Sequence, residues 1–454
     1  MDRPLAAPAL SPIALSQRIS GVDFARGIAL LGILLVNARF FFWPFAAAID
    51  PACEVPGLTT TTLDAVVWSL IEAFCSFKFI SLFSLLFGFG IAMQASRAGQ
   101  IGRSRWGFGS RRLMVLFGIG LLHATLVWYG DILVVYAVFG FLVLALSACK
   151  PKTLLICFFV LAGIMIFFAL CSAVLSYLFS VYPQAFGESV AAVQAEATEQ
   201  IAASAQSATP SGGSGARGLA AIMEVFEHAQ FSFADPLWMQ AETVAHREGP
   251  WLDMFAFRIA HWLVCISAAI FGYGWHACAL MLFGAYAFRS GLLEAAARMR
   301  RVRIGWRCVC IGTCFALLSV LPYWMWGLRD PRASALHMLG LTVSGLTLPL
   351  GYAVFLVEYA HRVPDAIRLP ITAAGRMALT VYLCESILAT ALASWWGFAL
   401  FARLSDASLA LVSLAIWVAL VSLAWWWLRY RSIGPAEWLW RRLSYGRGAA
   451  SRDD

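Results

Sequence analysis

The sequence predicts an all-α, polytopic membrane protein of about ten transmembrane helices, and three observations predict it. Of its 454 residues, 61% are hydrophobic and only 13% charged, which is more apolar surface than a soluble domain can hide. Apolar runs of roughly 18–25 residues, the length a ~30 Å hydrocarbon core requires, recur along the whole chain. The Lys and Arg residues gather in alternate loops between those runs, the charge bias that distinguishes the two sides of a membrane.

Taken in order, residues 1–17 are rich in Pro and Ala and predict a disordered N-terminus. The first apolar run is too long, and its flank too charged, for a cleavable signal. Spans are expected at about 27–45, 78–95, 111–129, 131–149, 153–180, 268–289, 304–325, 336–358, 376–394 and 408–428. Residues 63–76 and 251–266 are apolar but interrupted by Asp64, Glu72 and Asp253, and read as interfacial or re-entrant helices that precede a span. The chain thus divides into a first bundle of five spans (18–180), a larger extracytoplasmic loop (181–250), a second bundle of five spans with a C-terminal interfacial helix (251–446), and a short tail (447–454). The middle of the loop, Pro210-Ser-Gly-Gly-Ser-Gly215, has linker composition. Its flanks, 188–201 and 219–231, have helical propensity. No internal repeat is visible.

Arginines and lysines follow the second, fourth, sixth, eighth and tenth expected spans, among them Arg97, Arg111, Arg112, Lys150, Arg298, Arg301, Arg368, Arg376 and Arg441. With ten spans these all fall on one side, which the positive-inside rule makes cytoplasmic, with both termini. The expected setting is therefore a bacterial inner membrane. The net charge of +8 is mostly this asymmetry, which draws anionic headgroups and gives no reason to expect nucleic acid. Nearly all of the 11 cysteines lie inside apolar runs, so neither a disulfide framework nor a metal site is expected. A homodimer stays open.

Polar groups inside hydrocarbon are costly and usually have a job there. Asn37 and His123 each lie eleven residues past an arginine of the basic side, Arg26 and Arg112, hence about 16 Å into the membrane. Glu385 lies nine residues past Arg376, about 13 Å in. One layer thus holds an amide, an imidazole and a carboxylate, which suit oxyanion binding, general base catalysis and orientation of that base. Asp131, in the turn Trp128-Tyr-Gly-Asp131, either caps the following helix or folds back onto His123. Asp23 and Arg26 share a helical face and pair. Arg26, Arg111, Arg112 and Arg376 form a basic vestibule whose guanidinium forks match phosphate oxygens. Lys78 reads as a snorkelling anchor, Gly434–Arg442 as a structural interfacial helix. No role is assigned to His261, His276, His337 or His361.

Several segments, in order, carry a resemblance: Asp23-Phe-Ala-Arg-Gly27 with Asn37; Lys78-Phe with Leu82-Phe-Ser-Leu-Leu-Phe-Gly88; Gly120-Leu-Leu-His123; Trp128-Tyr-Gly-Asp-Ile-Leu133; Gly375-Arg-Met-Ala-Leu-Thr380 with Tyr382; and Gly434-Pro with Glu437-Trp. Together they resemble the YeiB-like family of bacterial inner-membrane proteins, also called domain of unknown function 418. That family often has Asn where Val381 stands and Gln where Glu385 stands. The opening segment is also similar to heparan-glucosaminide acetyltransferases and the wider transmembrane acyltransferase superfamily. This likeness implies transfer of an acyl group from cytoplasmic acyl-coenzyme A to a hydroxyl or amine at the outer face, on a glycan, a lipid or a small molecule. It makes Asn37 the polar pore residue; the catalytic role of His123 is inferred from its depth. A transporter of a small amphiphile or anion fits the same physical pattern, and a scaffold or sensor fits it less well.

Overall fold

The computed structural model describes residues 20–100, 104–182 and 233–445. The expectations for the N-terminus, for the linker and its flanks at 188–201 and 219–231, and for the tail lie outside these residues. Among the described residues there is no strand, and the chain is an all-α polytopic membrane protein. Its helices are α1 (Ser20–Phe42), α2 (Phe45–Ile49), α3 (Thr62–Phe74), α4 (Lys78–Gln100), α5 (Arg105–Leu126), α6 (Leu133–Leu146), α7 (Pro151–Val181), α8 (Pro236–Glu248), α9 (Trp251–Ala268), α10 (Gly274–Arg289), α11 (Arg298–Leu318), α12 (Leu321–Trp326), α13 (Pro331–Tyr359), α14 (Asp365–Arg376), α15 (Ala378–Ala393), α16 (Asp406–Trp427) and α17 (Pro435–Tyr445).

Starts are legible in local chemistry. Thr61 and Asp64 form a reciprocal capping box on α3, while Asp235 and Asp330 cap α8 and α13, each followed by a proline at the first helical position, where its missing N–H costs nothing. Inside hydrocarbon, packing depends on small residues that let backbones approach. A Cβ on Gly27 would lie 2.1 Å from Ile371 O, and one on Gly375 would lie 1.7 Å from Asp23 O. Two of the sequence motifs therefore exist to let α1 and α14 cross in backbone contact.

The expected ten spans meet a different count. Among the described residues, seven helical segments are long and apolar enough to cross a membrane, and the pair α14–α15, bent by 89° at Met377, makes an eighth if it is one span. The other two are α5, whose Arg111, Arg112 and His123 lower its apolarity, and α6, whose 14 residues reach about 21 Å. Both are helices, but neither alone meets the length and apolarity of a membrane span.

The expected interfacial helices at 63–76 and 251–266 do not stand apart. Each continues into the next helix as one segment of 39 residues, Thr62–Gln100 and Trp251–Arg289, the second through a π-helical turn at Ala269–Tyr273. At 1.5 Å per residue each is about 58 Å long, well beyond a ~30 Å hydrocarbon core. The first is interrupted only at Cys75–Phe77, where Phe77 has φ 62°. Lys78, expected to snorkel, is fully buried there and donates to Glu72 O at 3.0 Å, filling an acceptor that the break leaves open.

Helix α1 is central, packing on α4, α13, α14, α15 and α16. By contrast α7 presents Ile156, Phe159, Val160, Phe167 and Phe168 outward, the face that lipid would cover. The arginine-rich ends of the helices lie together with α17. At the opposite end Arg39 pairs bidentately with Asp406 at 2.7 Å and stacks on Trp43.

Candidate functional site

The turn after α5 folds back on it. Val127 and Trp128 both donate backbone N–H groups to His123 O, Tyr129 Oη donates to Phe40 O at 2.9 Å, and Trp128 stacks on Phe41 with ring centroids 4.1 Å apart. The chain therefore returns Asp131 to His123, with Oδ2 2.8 Å from Nδ1. Its Oδ1 accepts from Val134 N at 2.9 Å, so the carboxylate caps α6 and holds the imidazole at once. Gly120 makes the fold-back possible: a Cβ there would meet Val134 N at 2.7 Å and Asp131 Oδ1 at 2.8 Å.

Both partners are buried, and His123 Nε2 has no hydrogen-bond partner. A carboxylate on Nδ1 favours the tautomer with the proton there, leaving the Nε2 lone pair as the basic position. Tyr382, from α15, completes the cluster. Its ring centroid is 5.2 Å from that of His123, and its hydroxyl is 3.5 Å from Asp131 Oδ2.

Tyr382 also closes the deep end of a cavity of about 340 Å³, within the range of small-molecule sites. Ile132, Leu133 and Tyr136 form that end with it, and Leu30, Ile33, Phe83, Leu86, Phe87 and Leu116 line the middle. Toward the arginine-rich end the wall carries Arg26, Arg97, Arg105, Arg112, Arg376 and Arg441. The site therefore joins an apolar channel to a cationic mouth.

Of the four arginines expected in the vestibule, Arg26, Arg112 and Arg376 line this cavity, and Arg26 pairs with Asp23 at 3.0 Å. Arg111 does not line it; its Nε donates to Leu443 O. Of the expected mid-membrane residues, His123 and Asp131 come together. Neither lines the cavity itself, since Tyr382 stands at its end. Asn37 is half-buried and Glu385 buried, with Oε1 unpartnered. Neither hydrogen-bonds to the imidazole, and the carboxylate that orients His123 is Asp131.

Tyr382 and the C-terminal helix are what sequence reasoning passed over. Helix α17, expected to be only structural, is a wall of the cavity through Glu437, Trp440 and Arg441. Glu437 accepts from Leu379 N at 2.7 Å and Thr380 Oγ1 at 2.5 Å, capping α15 just below Tyr382. Burial raises its carboxyl above the usual range. Arg112 lies 4.1 Å over the Trp440 ring, whose Nε1 donates to Arg112 O. The available signal was that Tyr382 and Glu437 each sit in a quoted motif. Among the described residues no three His, Cys, Asp or Glu side chains converge as a metal site.

The chain is 28% identical over 436 residues to the uncharacterized protein YeiB of Escherichia coli strain K12, covering 94% of this chain and 96% of that one. It is 27% identical over 452 residues to the uncharacterized protein YxaH of Bacillus subtilis strain 168, with 96% of each covered. An uncharacterized protein of Bacillus acidopullulyticus is 35% identical over 143 residues, 32% of this chain and 38% of that one. No solved structure matches. The family described as "Protein of unknown function (DUF418)" matches residues 287–447, which include the cavity-lining Arg376, Tyr382 and Glu437. The chain is thus similar to the YeiB-like DUF418 proteins, through the family match over residues 287–447 and through two near full-length relatives.

Proposed function

We propose that the protein is a transmembrane acyltransferase that takes an acyl group from acyl-coenzyme A at its arginine-rich side and delivers it to a hydroxyl or amine reaching it from the other side. The observation that carries this reading is the continuity of parts: a cationic mouth, an apolar channel and, behind Tyr382, a buried imidazole–carboxylate pair. The positive-inside rule makes the arginine-rich side cytoplasmic and the setting the inner membrane. Phosphates would lie among Arg26, Arg112, Arg376 and their neighbours, and the thioester arm would run toward Tyr382.

In the transfer, His123 Nε2 takes the proton of the acceptor hydroxyl or amine as its oxygen or nitrogen attacks the thioester carbonyl. The C–S bond breaks, and the imidazolium returns the proton to the departing thiolate. Asp131 stabilises the transient imidazolium. Tyr382 must move aside for His123 to reach the carbonyl. Asn37 and Glu385 retain proposed roles as an oxyanion donor and a supporting carboxylate, reached only by rearrangement around α15.

Transport of a small amphiphile would use the same cavity without chemistry. Binding of radiolabelled acetyl- and longer acyl-coenzyme A to the purified protein separates the two. Saturable binding that Arg26→Ala abolishes and His123→Ala keeps, with turnover lost in His123→Ala, supports transfer. Absence of binding across acyl lengths overturns it and leaves transport.

A further inference from the structure

A file of polar groups runs along α4 from its junction with α3 to the deep end of the cavity, and acyl transfer uses none of it. Glu72 precedes Arg97 by 25 residues, about 38 Å at helical rise. That sets it beyond a ~30 Å hydrocarbon core, on the side away from the arginines. Its side chain is partly exposed; Oε2 accepts from Ser76 Oγ at 2.6 Å, and Oε1 lies 3.5 Å from His337 Nε2. Lys78 follows. Its ammonium has three donors but bonds only Glu72 O, and among the described residues no carboxylate oxygen lies within ion-pair distance of it. One turn further along α4, Ser81 Oγ lies 2.7 Å from His276 Nε2 of α10. One turn beyond that, Ser84 Oγ lies 2.9 Å from Tyr136 Oη, and Tyr136 is part of the cavity wall. From Lys78 to Ser84 is only about 9 Å, yet Lys78, Ser81, Ser84, Tyr136 and His276 are each at most 2% exposed.

A lone ammonium within a span costs several kcal/mol and marks a functional pathway more often than a packing element. The chemistry of the file says what travels on it. Ammonium and imidazole release and regain a proton, and a hydroxyl donates one while accepting another. Beyond Glu72 the file holds no carboxylate, and the Lys78 charge repels metal cations. Nor is there room for a solute. A Cβ on Gly88 would lie 2.0 Å from Met281 O, and one on Gly284 1.9 Å from Leu85 O, so α4 and α10 touch backbone to backbone. A Cβ on Gly345 of α13 would lie 3.0 Å from Phe77 Cβ and 3.1 Å from His276 Cε1. The other titratable groups at this junction are Cys75, on the same segment, and His337 and Tyr352 of α13. His337 Nδ1 bonds to Ser319 O at 2.8 Å and Tyr352 Oη donates to Phe74 O at 3.2 Å, so neither neutralises Lys78.

We propose that this file is a proton path from the side opposite the arginine-rich mouth into the cavity, a function separate from acyl transfer. One proton enters at Glu72 and one leaves at Tyr136. Lys78 passes its proton toward Ser81 and His276 and is reprotonated from Glu72 by way of Ser76. Tyr136 gives its hydroxyl proton to the occupant of the cavity and regains one through Ser84. The steps from Lys78 to Ser81 and from Ser81 to Ser84 each cross one helical turn, a gap that a bridging water closes. Whatever the cavity holds is thereby coupled to the proton gradient across the membrane.

The test reconstitutes the full chain in liposomes of phosphatidylethanolamine and phosphatidylglycerol that enclose a pH-sensitive dye. A potassium diffusion potential set with valinomycin drives protons inward. The expected result is acidification faster than in protein-free vesicles. Ser81→Ala and Tyr136→Phe, each lacking one hydroxyl of the file, should slow it about 100-fold, the low end of what a positioned proton-transfer group contributes. Tyr352→Phe, whose hydroxyl lies off the file, should conduct as the wild type does. Thermal unfolding in detergent identifies variants that keep the wild-type fold, and Ser84→Ala replaces either one that does not. Acidification no faster than in protein-free vesicles, or folded variants of the file that conduct at the wild-type rate, overturns the proposal. The readout needs no acyl donor, so it stands or falls separately from acyl transfer.

Discussion

Glu242 should make helix α8 loosen as the solution turns alkaline. Its carboxyl is buried, with Phe45 N 3.1 and 3.3 Å from its oxygens. Burial raises it to about 8, partly offset by that backbone donor. When α8 lifts, the group returns to its ordinary value near 4.5. Between these values the closed state holds a proton that the open state does not, so the stability of closure falls as pH rises and is lost through about 8. His246 works in the opposite sense. Burial lowers it to about 4 from 6.5, so over 4.5–6.5 the open state gains a proton and the two slopes cancel. Above pH 6.5 Glu242 dominates. From there to pH 8, where the closed carboxyl is half ionised and His246 has shed the last of its opposing proton, the integrated effect is about 1.2 kcal/mol, roughly 8-fold in the opening equilibrium. Amide hydrogen exchange across Pro236–Glu248, corrected for the intrinsic pH dependence of exchange, reads this directly. Protection should be nearly flat from pH 5 to 6.5 and fall about 8-fold by pH 8, and Glu242→Gln should abolish the fall. Constant protection up to pH 8 in the wild type, or the same fall in Glu242→Gln, would refute the reasoning.

Gly120→Ala should push the 127–132 turn off α5, because its Cβ meets Val134 N and Asp131 Oδ1 at under 3 Å. The expected cost is about 1–3 kcal/mol in thermal or denaturant unfolding, with the imidazole resonance of His123 losing its Asp131-bonded signature. Asp406→Ala leaves the mostly buried Arg39 without its bidentate partner and should cost about 3–5 kcal/mol; unfolding within 1 kcal/mol of wild type in the same detergent would contradict this. Glu437→Ala removes the cap of α15 and should cost about 1–3 kcal/mol. It should also weaken donor binding at the adjoining wall, measured with the same acyl-coenzyme A titration; unchanged affinity would detach α17 from the site.

Composition and periodicity already determined that this chain is helical, spans a membrane and collects its arginines at one end, because bilayer thickness and headgroup charge act on every segment separately. Depth arithmetic likewise set His123 about 16 Å along its helix from Arg112, since rise per residue is a property of one helix alone, and the structure has it in the last turn of α5. Local rules stopped at α5 and α6, where arginines and a 14-residue helix blur the limits of a span, and at Thr62–Gln100 and Trp251–Arg289, where an acidic residue in a run looks the same whether the helix ends or projects beyond the membrane. Which polar groups meet was beyond such arithmetic. Depth favours Glu385, in the layer of His123, over Asp131 in the turn beyond it; only the fold-back over Gly120 puts Asp131 on His123. Tyr382 and Glu437 are ordinary residues until the 89° bend at Met377 and the docking of α17 bring them to the cavity wall. The same holds for His276, unremarkable in its own helix and significant only where α4, α10 and α13 converge. The physical reason is that depth along one helix is fixed by its own geometry, whereas rotation about that axis and the choice of neighbours are set by packing between helices distant in sequence.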